Sequence, residues 1–136
     1  MDNDYLVASS HLDPEFSFNA TKGTSHYRKF SEKIKTIGVW DDHDFGVDNG
    51  GKEFAQKDKI RKLWLDFIDE PSDSERRTQV RSTIHQDYFF TKKVNGLDIK
   101  VHIILLDNRY EFDKTVDDRL GDDQWKWLDL ALKRSV

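Results

Sequence analysis

Trp40-Asp41-Asp42-His43-Asp44-Phe45-Gly46 decides how this chain is read, with Asp48, Asn49, Gly50 and Gly51 close behind. The residues that lead in carry Ile37, Val39 and Trp40, and the pattern predicts a buried strand over 36–40 that runs into a loop. That loop sets three aspartates and a histidine in four consecutive positions. Folded inward without a counter-charge, such groups repel one another and lose hydration. A metal ion is the simplest counter-charge, since carboxylate oxygen and imidazole nitrogen are ordinary metal ligands. Gly46, Gly50 and Gly51 allow a tight turn and a close approach of backbone to a ligand. A solvated acidic turn that merely ends a strand fits the same residues equally well. An EF-hand does not: counted from Asp42, the sharp-turn glycine position falls on Val47.

Outward from the loop, the elements alternate. Upstream, 25–35 reads as a helix capped by Ser25, with Tyr27, Phe30 and Ile34 on one face, and 1–24 as an irregular N-terminal segment with Asp13-Pro14 as a turn. Downstream, Ile60, Leu63, Trp64, Phe67 and Ile68 give the apolar stripe of a helix over 52–69, with Arg61 and the neighbouring lysines on its solvated face. Residues 70–78 read as a loop. Its Arg76 and Arg77 either grip an anion or pair with nearby acids. Two strands, 88–94 and 97–106, flank the strong hairpin turn Asn95-Gly96, and the alternation of Ile99, Val101, Ile103 and Leu105 predicts one buried face. Asp107-Asn108-Arg109 forms a second polar cluster at a strand end, where Arg109 either holds an anion or pairs with a neighbouring acid. A last helix opens at Gly121, with Trp125, Leu128, Ala131 and Leu132 expected on its buried face. His11, His26, His85 and His102 stand without motifs around them and read as structural.

Composition narrows the classes. The chain has 136 residues, room for one domain. Its net charge of −4 argues against a nucleic-acid-binding surface built on basic residues. With 36% hydrophobic and 35% charged residues the core is modest, and 9 Phe and 4 Trp carry much of it. The absence of cysteine removes any disulfide framework. No apolar run approaches the roughly 18 residues of a membrane span, and the first ten residues lack a signal-peptide pattern, so compartment is left open.

Four segments in order carry a family resemblance. Trp40-Asp41-Asp42-His43-Asp44 with Asp48-Asn49-Gly50-Gly51-Lys52-Glu53 resembles the PhoD-like alkaline phosphatases, a branch of the calcineurin-like metallophosphoesterases. Pro71-x-x-Ser74-x-Arg76-Arg77, Leu105-Leu106-Asp107-Asn108-Arg109-Tyr110 and Leu120-Gly121-x-x-Gln124-x-x-Trp127-Leu128 are similar to later segments of that family, with Asn108 where the family has Thr. The resemblance spans residues 27 to 134. It implies an α/β or α+β fold belonging to a four-layer α/β/β/α metallophosphatase sandwich, with 25–136 as part of that domain. The upstream Gly-Asp and downstream Gly-His motifs that complete the family's metal shell are expected outside this chain, which reads as a fragment.

By position, the resemblance implies Asp42 as a metal ligand, His43 as the catalytic residue beside the phosphate, and Asp44 as the carboxylate that orients His43. Arg109, Arg76 and Arg77 are the candidate substrate contacts. The implied reaction is metal-dependent hydrolysis of phosphate mono- or diesters, with metal-bound hydroxide attacking in line. Calcium and iron are the metals the family implies; the residues themselves equally admit manganese or zinc. The competing expectation is a remnant or interaction module that keeps the loop without a complete metal site.

Overall fold

A computed structural model describes residues 13–78 and 82–135. Residues 1–12 of the expected irregular segment, with His11, lie outside the described residues. The fold is α+β: five helices and a two-stranded antiparallel sheet among the described residues.

The first correction is at residue 14. Pro14–Gly23 is a helix, α1, where the sequence reading expects irregular chain. Asp13-Pro14 is a helix start rather than a turn: the Asp13 carboxylate accepts the Glu15 N–H at 3.1 Å, and Pro14 occupies a position whose N–H has no helical partner anyway. α1 buries Phe18 and leaves Phe16 exposed. The second helix, α2, covers Ser25–Ser31, shorter than the expected 25–35, and its cap is Thr24, whose hydroxyl accepts the Tyr27 N–H at 3.2 Å.

The expected strand over 36–40 is absent; the chain there has no regular structure and pairs with no strand among the described residues. It passes into a single helical turn, α3, over Asp42–Phe45. The long helix α4 spans Lys57–Phe67, starting later than the expected 52. Its stripe does face the core: Ile60, Trp64 and Ile68 are buried, and Leu63 and Phe67 pack against the same cluster. Around it gather Phe18, Trp40, Phe45, Leu65, Ile84 and Tyr110. Phe67 is the hinge of an aromatic stack, 5.1 Å from Phe18 and 5.2 Å from Tyr27 between ring centroids. Arg61, expected on the solvated face, is buried at 5% exposure and donates to the Arg76 carbonyl.

The hairpin forms as its turn predicts. β1 (Gln86–Val94) pairs with β2 (Leu97–Leu105), with Val94 opposite Leu97 across Asn95-Gly96. Asn95 at φ 51° and Gly96 at φ 83° adopt the left-handed pair that a two-residue turn requires. The expected burial of its apolar face is not met: Ile99 is 44% and Val101 41% exposed. The base of the hairpin is fixed by His102, which lies 2.9 Å from Asp87 and stacks on Phe89. His85 is likewise structural, buried against Thr83 and Trp127.

The last helix, α5, covers Gly121–Lys133. Of the residues expected on its buried face only Ala131 is fully enclosed. Leu128 is half-buried, and Trp125 and Leu132 are more than half exposed. The helix instead turns Gln124 inward, because Gln124 satisfies both sides of the Asp107 peptide: it accepts the Asp107 N–H at 2.8 Å and donates to the Asp107 carbonyl at 2.7 Å. Trp125 spends its indole N–H on Asp118 at 3.0 Å.

Candidate functional site

The aspartate loop is shaped by local rules. Asp41 precedes α3 in extended conformation, and its N–H reaches the Asp44 carboxylate at 3.4 Å. Gly46, at φ 104°, ends the turn after four residues, and its N–H meets the carbonyls of Asp42 and His43. The chain reverses through Val47 to Asn49 and passes beneath the 109–113 segment at Gly51. A Cβ on Gly51 would stand 2.4 Å from the Phe112 carbonyl oxygen, and the next amide, Lys52, donates to that same oxygen at 2.9 Å. Only glycine fits there.

This reversal brings Asp48 back over the helical turn. One ligand atom each of Asp42, His43 and Asp48 lies within 4.8 Å of the others. His43 Nε2 is 3.7 Å from Asp48 Oδ1. The Asp42 carboxylate is oriented by two backbone amides, those of His43 at 2.9 Å and Asn49 at 3.3 Å. Asp42 and His43 are half-buried, Asp48 is exposed and Asp44 is buried. Asp44 helps to hold the turn, and Asp48 is a further carboxylate beside the imidazole. The sequence reading did not select Asp48 as a site residue. Its signal was spacing alone: an acid six positions beyond Asp42, past a glycine able to reverse the chain.

Arg109 arrives from across the fold. Its guanidinium clasps Asp41 through Nε at 3.1 Å and Nη2 at 2.6 Å, and Nη2 lies 3.7 Å from Asp42. The side chain is 8% exposed. This contact holds the Asp41 carboxyl below the usual carboxylate range. Of the open readings of Arg109, pairing with an acid is what the structure shows, and the acid is Asp41 rather than one of its near neighbours in sequence.

Arg76 and Arg77 are placed elsewhere. Arg76, 1% exposed, donates to Glu70 at 3.1 Å and to the Gly38 carbonyl at 2.5 Å. Arg77 caps the end of α4, donating to the carbonyls of Leu65 and Glu70 and to the Asp66 carboxylate. Their terminal nitrogens are engaged by these internal partners, which is the pairing alternative of the sequence reading. The acids that engage them are Glu70 and Asp66.

The residue that ties the site to the fold is Asp107, fully buried. Its Oδ1 accepts the Trp40 indole N–H at 2.7 Å and the amides of Arg109 and Tyr110, each at 3.1 Å. Its Oδ2 accepts the Ile84 N–H at 2.9 Å. One carboxylate thus anchors the entry to the aspartate loop and the turn that presents Arg109. Nearby, Tyr110 donates to Asp58 at 2.5 Å, and burial first, then that bond, pushes its hydroxyl far above its usual pKa.

No protein-family model, no curated protein and no solved structure matches this chain.

Proposed function

We propose that the chain contributes the Asp42–His43–Asp48 loop of a metal-dependent phosphoric ester hydrolase, of the kind its sequence resembles, and that its α+β elements belong to the four-layer sandwich of that family. The observation that supports this reading is the convergence of two carboxylates and an imidazole beside a buried arginine. The carboxylates, with an imidazole beside them, fit a metal such as iron, manganese or zinc. They fit calcium less well, since the loop offers two carboxylates where calcium takes six or more oxygens.

Asp42 and Asp48 would hold such an ion, with the His43 imidazole beside it placed to meet the substrate. That ion would supply Lewis acidity toward water and toward phosphoryl oxygen. The residues themselves have separable tasks. His43, half-buried at the loop surface, is placed to carry a proton to a departing ester oxygen through Nε2. Asp48 supports the protonated imidazole from 3.7 Å. Arg109 sets a fixed positive charge beside the loop and keeps Asp41 ionised.

A second reading, a non-catalytic module that keeps the loop, is favoured by the same Arg109. Its guanidinium already supplies a counter-charge to Asp41 and Asp42, so the loop is balanced in part without a metal. One experiment separates the two. Hydrolysis of an aryl phosphate monoester and diester is measured with manganese, zinc, iron or calcium supplied, with EDTA as control, alongside metal-induced changes in melting temperature. EDTA-sensitive turnover that is lost in His43→Ala, with a metal-dependent melting shift lost in Asp48→Asn, supports the hydrolase. Absence of both turnover and shift assigns the loop to the module.

A further inference from the structure

Two carboxylates that converge on one spot drift apart unless something holds them. One carboxylate oxygen each of Asp42 and Asp48 lies within 4.8 Å of the other, and like charges at that range repel. Asp48 is the one able to leave. Its side chain is 73% exposed, and a surface side chain passes readily between staggered rotamers. One residue touches both acids. Asn49 donates its backbone N–H to Asp42 Oδ2 at 3.3 Å and its side-chain Nδ2 to Asp48 Oδ1 at 3.1 Å.

Asn49 is itself fixed by the turn it stands in. Its φ of 51° lies in the left-handed region, which asparagine enters more readily than most residues that carry a side chain. The next amide, Gly50, donates to the Val47 carbonyl at 2.9 Å and closes the turn that carries Asp48 and Asn49. That turn is tight: a Cβ on Gly50 would stand 2.5 Å from Val47 Cγ1 and 3.0 Å from the Val47 carbonyl oxygen. All of these contacts lie within residues 42–50, so they do not depend on what covers the rest of the chain.

We propose that Asn49 is the positioning residue of the Asp42–His43–Asp48 loop, its two N–H donors setting the separation at which the two carboxylates share one cation. This rests on the metal-binding reading above. Other neighbours stand farther off. His43 Nε2 is 3.7 Å from Asp48 Oδ1, and Arg109 Nη2 is 3.7 Å from Asp42 Oδ2, both longer than hydrogen bonds. The grip also leaves room for an ion. Each carboxylate carries about four lone-pair sites. The Asn49 amide takes one on Asp48, and the His43 and Asn49 backbone amides take one on each oxygen of Asp42.

Asn49→Gly tests this, because glycine keeps the left-handed turn and the backbone N–H on Asp42 and removes only the amide on Asp48. Amide proton–nitrogen spectra check that the variant folds. The first readout needs no metal. Three-bond Hα–Hβ couplings of Asp48 should show one rotamer in the wild type and an average of several in Asn49→Gly, while those of Asp42, held by backbone amides, stay unchanged. The second readout is calorimetric titration with manganese(II) alone, where Asn49→Gly weakens binding about three- to tenfold. An Asp48 already averaged in the wild type, couplings unmoved by Asn49→Gly, averaging that spreads to Asp42, or equal manganese binding by both proteins overturns the inference. A single Asp48 rotamer lost in Asn49→Gly, in a chain that binds no manganese, upholds Asn49 as the residue that places Asp48 and counts against the metal-binding reading instead.

Discussion

Removing the Asp107 carboxylate is the most incisive perturbation of this fold. In Asp107→Ala four buried N–H donors lose their acceptor at once: the Trp40 indole and the amides of Ile84, Arg109 and Tyr110. An orphaned buried donor costs about 1–3 kcal/mol. Taking the lower end, because an emptied side-chain volume admits some water, the loss is about 4 kcal/mol. Against a total stability of about 5–15 kcal/mol that is a large fraction. Asp107→Asn keeps the shape and one acceptor oxygen but turns an NH2 toward a donor, so about 2 kcal/mol is expected. Urea unfolding followed by tryptophan fluorescence measures both, with an unchanged denaturant slope showing that the unfolded state is the same. The trend should be wild type, then Asn, then Ala. If both variants lie within about 0.5 kcal/mol of wild type, the range of ordinary surface changes, Asp107 is not the anchor described.

Other perturbations follow from the same contacts. Arg109→Met should return the Asp41 carboxyl toward its ordinary range in an NMR titration; an unmoved Asp41 would remove Arg109 as the cause of its lowering. Because that pKa is lowered by folding, the stability it contributes is present above the ordinary carboxylate range and is lost as pH falls through the folded value; Arg109→Met should flatten this part of the stability profile. Gly51→Ala drives a Cβ into the Phe112 backbone, so it should unfold or displace the loop and lower the melting temperature by several degrees, whereas Gly23→Ala, with open space around it, should be nearly neutral. Arg77→Ala removes a donor from the Leu65 carbonyl, which keeps the Glu70 N–H, and leaves the Glu70 carbonyl without the Arg77 donor, so it should cost about 1 kcal/mol in urea unfolding without altering metal-induced melting shifts.

Much of the framework was legible because it is set within short windows. The Asn95-Gly96 turn places two left-handed residues wherever it occurs, and the hairpin followed in register. The stripe from Ile60 to Ile68 buries itself by helical spacing alone. The start of α1 was misread as a turn, because Asp13-Pro14 carries the chemistry of both a turn and a capped helix, and the Glu15 amide decided for the helix. Of the site, Asp42 and His43 stood out as a cluster of ligand types, while Asp48 needed the chain reversal at Gly46 to become their neighbour.

By itself, then, the sequence determined the elements whose stabilising contacts lie within a few residues: the hairpin turn, the core stripe of α4, the opening of α5 and the crowding of acids after Trp40. Tertiary structure alone decided the rest. A strand at 36–40 requires a partner strand, and none of the described chain provides one. Which face of α5 turns inward was set by the Asp107 peptide, 17 residues away, through Gln124. Which acid Arg109 pairs with was set by a contact across 68 residues. Charges and amides reach any partner that the fold brings within hydrogen-bonding distance, so their roles are fixed by the paths of distant segments, whereas turns and apolar periodicity are fixed by the chain's own local geometry.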